Sequence, residues 1–163
     1  MRVRRATPED VLVLSALFRE LDQIQRGWRV FTPRPDFRDE VCGQYLKAMS
    51  GADTIVLVAE EGSEVVGMAH GEVHTPSRFS DERALELSSV VVRAAYRGRG
   101  IGRELVKNAA RFAQDRGVAR IELRTFAANE DAMRFWRDLG FTPRVVQLTS
   151  VTGALIERLD REG

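Results

Sequence analysis

Apolar residues recur along this chain at two spacings, and each spacing predicts a type of element. A spacing of three or four residues predicts an amphipathic helix, whereas alternation or a short apolar run predicts a strand. The predicted strands are Val3–Arg5, Thr54–Glu60, Val65–His74, Leu85–Val92, Val118–Thr125 and Val145–Val151. The predicted helices run from Thr7 to about Gly27, from Asp36 to Gly51, over Ile101–Arg116 and over Glu130–Leu139. Residues 152–163 fit either a last strand or a frayed helix.

The predicted order is β-α-α-β-β-β-α-β-α-β, which indicates an α+β fold with a mixed sheet. Glu61-Gly62 joins the second and third strands as a tight hairpin, so the early part of the sheet is expected to be antiparallel. The helix at Ile101–Arg116 is long enough to serve as a crossover, which allows one parallel pair of strands. No repeat or linker interrupts the pattern, so a single domain over residues 1–163 is expected.

Composition narrows the classes of protein. Of the 163 residues, 44% are hydrophobic and 30% are charged, which is typical of a soluble globular protein. The net charge of +1 gives no overall field that would attract nucleic acid or a membrane surface, and no apolar run is long enough for a membrane span. The lone Cys42, interpreted as a structural thiol, fits a reducing compartment and predicts a cytoplasmic location. Two histidines and one cysteine offer no metal-ligand spacing, so no metal is expected.

The most informative local feature is the run Arg97-Gly98-Arg99-Gly100-Ile101-Gly102, which lies between a predicted strand and a predicted helix. The first N–H groups of a helix have no acceptor within the helix, and they carry the positive end of its dipole. Glycine lets an oxygen atom approach the backbone closely, because it has no Cβ. The run is therefore expected to bind phosphate oxygens.

Three classes of phosphate ligand use such a turn. The nucleoside triphosphate loop requires G-x-x-x-x-G-K-S/T, but Gly102 is followed by Arg103 and Glu104. The dinucleotide fingerprint requires G-x-G-x-x-G, and the third glycine of this run comes one position too early. The pattern Q/R-x-x-G-x-G/A for the pyrophosphate of coenzyme A is matched at every fixed position by Arg97, Gly100 and Gly102.

With its preceding strand, the segment 90–102 resembles the central motif of the GNAT superfamily of N-acetyltransferases. A later block, Asn129-x-x-Ala132-x-x-Phe135-Trp136-x-x-x-Gly140-Phe141, is similar to that family's N-x-x-A-x-x-F/L-Y-x-x-x-G-F. The two blocks cover residues 85–142, and the N-terminal half matches in element order only. The resemblance implies a GNAT-like mixed sheet flanked by helices. It also implies transfer of an acetyl group from acetyl-CoA, as co-substrate, to a primary amine of a small molecule or protein.

The resemblance also assigns cofactor-binding roles. The backbone of the turn would bind the pyrophosphate through Arg97, Gly98, Arg99, Gly100, Ile101 and Gly102. The backbone of Val90 and Val92 would pair with the pantetheine arm, and the Val90 N–H would stabilise the oxyanion of the tetrahedral intermediate. Phe135 and Asn129 would contact the same arm, although Asn129 fits a helix cap equally well.

The resemblance leaves the acid–base chemistry incomplete. Glu86 occupies the position of the catalytic glutamate in the histone-acetyltransferase branch of the family, so it is the candidate general base. His70 and His74, on the neighbouring predicted strand, are alternative proton relays. Many family members have a tyrosine as general acid where this chain has Trp136, whose indole N–H cannot serve that role.

The acceptor is expected between the first two helices and the late strands, in residues 23–36, 75–83 and 143–151. These segments contain aromatic and acidic side chains, which suit an amine; examples are Trp28, Phe31, Phe79, Asp81 and Glu82, and Arg29 lies beside the first of them. Aromatic loops suit packing onto the core or a homodimer interface as well. A coenzyme A-binding regulatory or interaction module without transferase activity is the alternative function.

Overall fold

A computed structural model describes residues 1–27, 37–75 and 81–162. Residues 1–128 form one compact unit. Its elements are β1 (Arg2–Arg5), α1 (Val11–Arg26), α2 (Phe37–Ser50), β2 (Thr54–Glu61), β3 (Glu64–His74), β4 (Ala84–Val92), α3 (Ile101–Asp115) and β5 (Arg120–Leu123). Residues 129–163 form a second compact unit with α4 (Glu130–Asp138) and α5 (Thr152–Glu162). Short 3-10 turns precede α1 at Pro8–Asp10 and α3 at Ala94–Tyr96.

The five strands form one mixed sheet in the order β1-β2-β3-β4-β5. Strands β1 to β4 pair antiparallel with their neighbours, and β4 pairs with β5 in parallel. Helix α3 is the crossover that makes this parallel step possible. The predicted α+β class is confirmed, and so is the predicted order from β1 to α4, with small shifts at the ends of elements.

The prediction of a strand at Val145–Val151 is wrong. This segment has no regular structure, and the exposed fractions of Val145, Val146 and Leu148 are 88%, 76% and 88%. Strand propensity is realised only where a neighbouring strand and a buried face accept the side chains. Residues 152–162, which the sequence left open between strand and helix, form α5.

A hydrophobic core lies between the sheet and the helices α1 and α2. It includes Leu14 and Leu17 from α1, Tyr45 from α2 and Met68 from β3. Helix α3 covers the opposite face, because a Cβ placed on Gly67, the neighbour of Met68, would lie 3.3 Å from the side chain of Leu105. No helix among the described residues is long and apolar enough to cross a membrane.

The pairing of β3 with β4 contains a bulge. His70 lies opposite Ser89 and Gly71 lies opposite Leu87, so Ser88 is an extra residue on β4. An extra residue reverses the alternation of side chains between the two faces of a strand.

Because of this reversal, residues before and after the bulge share one face of β4. Val91 belongs to the core beneath α1 and α2. Glu86 lies opposite Glu72, which is on the same face of β3 as Met68. Glu86 therefore lies on the α1/α2 face together with Val91, although an even-numbered and an odd-numbered residue of a regular strand would face opposite ways.

Asp10 fixes the start of α1 to the sheet. Its carboxylate accepts hydrogen bonds from Arg4 Nη1 at 2.7 Å, from Arg4 Nη2 at 3.0 Å and from the Thr7 N–H at 2.8 Å. Arg4 also donates to Glu60 on β2 at 2.7 Å. Asp10 is only 6% exposed, and the hydrogen bonds from Arg4 hold the pKa of its carboxyl below the usual value.

The substitution Asp10→Asn is expected to lower the free energy of unfolding by about 1–3 kcal/mol at neutral pH, because Arg4 loses a charged partner. The folded-state pKa of Asp10 lies below the unfolded-state pKa, so its stabilisation is present above the unfolded value of about 3.9 and is lost as pH falls through the folded value. Urea unfolding should therefore show a difference in the free energy of unfolding between wild type and variant that is constant above about pH 5 and narrows as the pH falls further.

Asp131→Asn is the matched control, since its side chain is 93% exposed and its ion pair with Arg134 lies at the surface. If Asp10→Asn lowered the free energy of unfolding by no more than the control does, or by an amount independent of pH, this account of Asp10 would be contradicted.

Candidate functional site

The glycine-rich turn forms between β4 and α3, where the sequence predicts it. Gly98 has a φ of +75° and Gly100 a φ of +81°, conformations that residues with a Cβ adopt at a cost. This explains why glycine stands at both positions. The turn as a whole is exposed from Arg97 to Gly100, and Arg99 stacks over the ring of Tyr96 at 5.0 Å.

The first turn of α3 presents unpaired N–H groups at the end of this run. The carbonyl of Gly100 accepts the first hydrogen bond of the helix, from the Glu104 N–H at 3.1 Å. The N–H groups of Ile101 and Gly102 precede this bond and have no acceptor within α3. Together with the adjacent glycines they form a surface that can bind an anion.

Side chains tie the turn to the sheet. Glu64, the first residue of β3, accepts hydrogen bonds from Arg93 Nη1 at 3.0 Å and from the Tyr96 hydroxyl at 2.8 Å. The bond to Glu64 raises the pKa of the Tyr96 phenol. Arg97 Nε donates to the Val92 carbonyl at 3.0 Å. The Arg97 side chain thus connects the turn to the end of β4.

Strand β4 pairs with both β3 and β5 before the bulge, and with β3 alone among the described strands after it. Pairing with β5 extends only over Ala84–Leu87. Pairing with β3 continues to Val92. Among the described residues of the unit 1–128, the stretch Ser88–Val92 therefore has no strand on the β5 side, and we call this side of it the open edge.

The backbone of Val90 and Val92 faces the open edge. The Arg93 N–H donates to the Val66 carbonyl on β3 at 2.9 Å. Successive residues of a strand direct their N–H groups to alternate edges. Val92 and Val90 consequently direct their backbone groups away from β3, where an extended ligand can pair with them as an added strand.

Glu86 is held by two basic side chains. Its Oε1 lies 3.0 Å from Arg124 Nη2, and its Oε2 lies 3.5 Å from His74 Nε2. The Glu86 side chain is 27% exposed. The structure therefore brings together the predicted base and one of the two predicted relays, on the α1/α2 face of the sheet.

His70, the other predicted relay, lies at the bulge. Its Nδ1 is 2.8 Å from the Ser88 hydroxyl, and the ring of Tyr45 contacts it edge to face at 5.6 Å. Its Nε2 is buried and has no hydrogen-bond partner among the described residues. Burial lowers the pKa of His70 below its ordinary value, so the ring is neutral at pH 7. Ser88 is not recognisable from the sequence, because residue spacing does not show the bulge that brings it to His70.

The second block folds as a capped helix in the unit of residues 129–163. The Asn129 side chain accepts a hydrogen bond from the Ala132 N–H at 3.1 Å, which confirms the helix-cap interpretation. Gly140 has a φ of +90°, and the Phe141 N–H donates to the Trp136 carbonyl at 3.0 Å. This is the glycine-terminated helix end of a Schellman motif.

The aromatic residues of this block contact one another. The Trp136 ring lies 4.8 Å from the Phe135 ring and 5.2 Å from the Phe141 ring, both edge to face. Such pairs stabilise a small unit by about 0.5–1.5 kcal/mol each. The contacts make Trp136 a packing residue of this unit.

Much of the predicted acceptor region lies outside the described residues. That part includes Trp28, Arg29, Phe31 and Phe79, and also Asp36, the predicted first residue of the second helix. Of the described part, Asp81 and Glu82 are exposed, and Glu82 pairs with Arg120 Nη2 at 2.7 Å.

Comparison with known proteins shows which family this chain matches. The model of the acetyltransferase (GNAT) family matches residues 18–141. Mycothiol acetyltransferase from Amycolatopsis mediterranei is 39% identical over 87 residues, which are 52% of this chain and 29% of that protein. The chain spans 29% to 43% of the length of this and three further curated relatives.

Solved structures show the same fold. A tetramutant of the BH1408 protein from Bacillus halodurans has a TM-score of 0.80 and 22% identity, over 93% of this chain and 99% of that one. The aminoglycoside N-acetyltransferase AAC(6')-Iy, solved in complex with CoA, has a TM-score of 0.73 and 17% identity, over 91% of this chain and 93% of that one.

The family match covers strands β2 to β5, the glycine-rich turn and all of α4. The chain therefore belongs to the acetyltransferase (GNAT) family.

Proposed function

We propose that this chain is an acetyl-CoA-dependent N-acetyltransferase that transfers an acetyl group to a primary amine by direct attack within a ternary complex. The observation that carries the proposal is the open edge of β4, which leads directly into the anion-binding turn. A strand edge and a phosphate site in succession suit a ligand with an extended amide-containing arm and a pyrophosphate. Acetyl-CoA is such a ligand.

In this proposal the turn binds the pyrophosphate and the open edge binds the pantetheine arm. The N–H groups over Arg97–Gly102 face the phosphate oxygens, and the Val90 and Val92 backbones pair with the arm. The Val90 N–H stabilises the oxyanion, a role that is typically worth ~3–4 kcal/mol. For Asn129 and Phe135 the proposed contact with coenzyme A depends on the family resemblance alone.

Glu86 is proposed as the base that prepares the acceptor. An amine with an ordinary pKa of about 10.4 is almost fully protonated at pH 7 and must lose a proton before it attacks. Glu86 is partly accessible on the α1/α2 face, where it lies opposite Glu72. Two carboxylates side by side favour a cationic acceptor.

The acceptor is proposed to be an amine of a small molecule or a protein. Among the similar proteins, one is named for mycothiol and another for aminoglycosides, and both names indicate small polar acceptors. A cytoplasmic location and a homodimer belong to the same proposal. The free Cys42 supports the former, and the exposed Val145 and Leu148 support the latter.

One observation favours a second candidate function. Trp136 stands where many family members have a tyrosine acid, and its ring packs between aromatic neighbours. A coenzyme A-binding module without transferase activity would need no acid at this position. The two functions differ in whether any amine releases the thiol of coenzyme A from acetyl-CoA.

Thiol release from acetyl-CoA, measured against a panel of amines, is expected to proceed with at least one of them. Glu86→Gln is expected to lower kcat by about 10²–10⁴-fold and to shift the pH profile, because general-base catalysis contributes that much. Glu122→Gln is the matched control, since Glu122 lies opposite Glu86 on β5, and it should retain the wild-type rate. A Glu86→Gln variant with a full rate and an unshifted pH profile would exclude Glu86 as the base. Tight acetyl-CoA binding without thiol release from any amine would favour the module.

Gly100→Val is expected to abolish coenzyme A binding in calorimetry, because valine resists a φ of +81° and would displace the N–H groups of the turn. Gly43→Ala is the control, since Gly43 is exposed in the middle of α2 and an added Cβ meets no atom there. The control should keep full affinity and gain about 0.5–1 kcal/mol of stability. Circular dichroism verifies that both variants are folded, and unchanged affinity in folded Gly100→Val would remove the turn from the cofactor site.

A further inference from the structure

We propose that Ser88 and His70 together carry a proton from the attacking nitrogen to the departing sulfur of coenzyme A, in place of a tyrosine acid. The inference builds on the proposed function and names two residues that the family resemblance does not assign. It starts from the 2.8 Å contact between the Ser88 hydroxyl and His70 Nδ1.

The proton balance of the reaction shows what is needed. A protonated primary amine loses one proton before attack, and Glu86 accepts that proton. Once the C–N bond has formed, the nitrogen carries a positive charge and must lose a second proton. When the C–S bond breaks, the sulfur leaves as a thiolate and gains one proton. A group that takes the second proton from nitrogen and gives it to sulfur balances the reaction.

Ser88 is placed at the open edge. It is the extra residue of the bulge, it is exposed, and it precedes by two residues the Val90 N–H proposed as the oxyanion donor. Its hydroxyl lies within 2.8 Å of His70 Nδ1 and 3.4 Å from the His70 carbonyl. The hydroxyl can therefore accept a proton from a neighbouring nitrogen while donating its own to the imidazole.

His70 is built to exchange protons through one nitrogen only. Its Nε2 is buried and has no hydrogen-bond partner among the described residues, so it has no group with which to exchange a proton. Nδ1 faces Ser88, and every proton that enters or leaves the ring through Nδ1 meets the Ser88 hydroxyl. The two side chains act as one unit, and this unit exchanges protons with the reacting groups through the Ser88 hydroxyl.

The groups around His70 keep it neutral before the reaction. Burial lowers its pKa, and the nearby Glu72 opposes this shift only in part. Tyr45 packs against the ring from α2 and has a raised pKa because it is buried, so its phenol stays neutral as well. Glu86 and His74 lie further along the same face. A neutral imidazole accepts the proton from nitrogen, and the resulting imidazolium is a strong enough acid to protonate a thiolate.

Each step conserves atoms and charge. The attacking amine nitrogen passes its proton to Ser88 Oγ as Ser88 passes its own proton to His70 Nδ1. The amine nitrogen is then uncharged. The C–S bond breaks, the sulfur takes the proton of Ser88, and His70 returns its proton to Ser88. Both residues end the cycle in their starting states.

Ser88→Ala is expected to lower kcat with acetyl-CoA by about 10²–10⁴-fold, with an unchanged dissociation constant for acetyl-CoA. Ser88→Thr keeps the hydroxyl and should retain most of the rate. His70→Gln should lose rate to the same extent as Ser88→Ala, and the double variant should lose no more, because the two residues act as a unit. Ser50→Ala, at the exposed end of α2, is the control and should keep the wild-type rate.

Acetyl-seleno-CoA distinguishes proton transfer from a merely structural role. A selenolate leaves without being protonated, since a selenol is a much stronger acid than a thiol. With this donor only the protonation of the leaving group becomes dispensable, so Ser88→Ala should lose markedly less rate than it loses with acetyl-CoA, whereas a distorted site would lose the same with both donors.

A wild-type rate for Ser88→Ala with acetyl-CoA, or an equal loss with both donors, would overturn the relay while leaving the proposed function intact. A wild type that releases no thiol with any amine would overturn the proposed function and the relay with it.

Discussion

In the part of the chain that the structure describes, strand β4 has paired strands on both edges only as far as Leu87, and the rest of the site depends on this constraint. Unpaired backbone groups in a sheet are costly unless something satisfies them. The structure satisfies part of the open edge internally, since Arg97 donates to the Val92 carbonyl. The Val90 backbone and the Val92 N–H are available to a ligand. The bulge at Ser88 is where the double pairing ends, and it lies in the same strand that leads into the turn.

The bulge also decides which side chains meet. Without the extra residue, Val91 and Glu86 would lie on opposite faces of β4, and Glu86 would leave the α1/α2 side. With it, Glu86, His74 and His70 share one face, and Ser88 lies beside the imidazole. The proposed base and the proposed relay therefore depend on a single backbone irregularity. Glu86 forms an ion pair with Arg124, whereas burial lowers the pKa of His70 and keeps its ring neutral.

The turn could be predicted from sequence because its residue types are dictated by backbone conformation. Gly98 and Gly100 adopt left-handed φ values that exclude most side chains, so their positions mark the turn. The helix cap at Asn129 and the helix end at Gly140 were recognisable for the same reason. Local chemistry decides these features, and local sequence therefore carries them.

Features that depend on distant partners could not be predicted in this way. Alternation along β4 is lost at Ser88-Ser89 and again over the apolar run Val90–Val92, and two adjacent serines do not by themselves specify a bulge. The pair of Glu86 with Arg124 joins positions that only the parallel step of the sheet brings together. The predicted strand at 145–151 failed because its valines and leucine have strand propensity but no buried face to occupy.

The central claim, that acetyl-CoA pairs with the open edge of β4, can be tested by hydrogen exchange of individual backbone amides with and without acetyl-CoA. We expect the Val90 and Val92 amides to become protected on binding. The Val91 amide, which faces β3, should be protected already and change little. Protection confined to the turn at residues 98–102, with unchanged exchange at Val90 and Val92, would contradict the account.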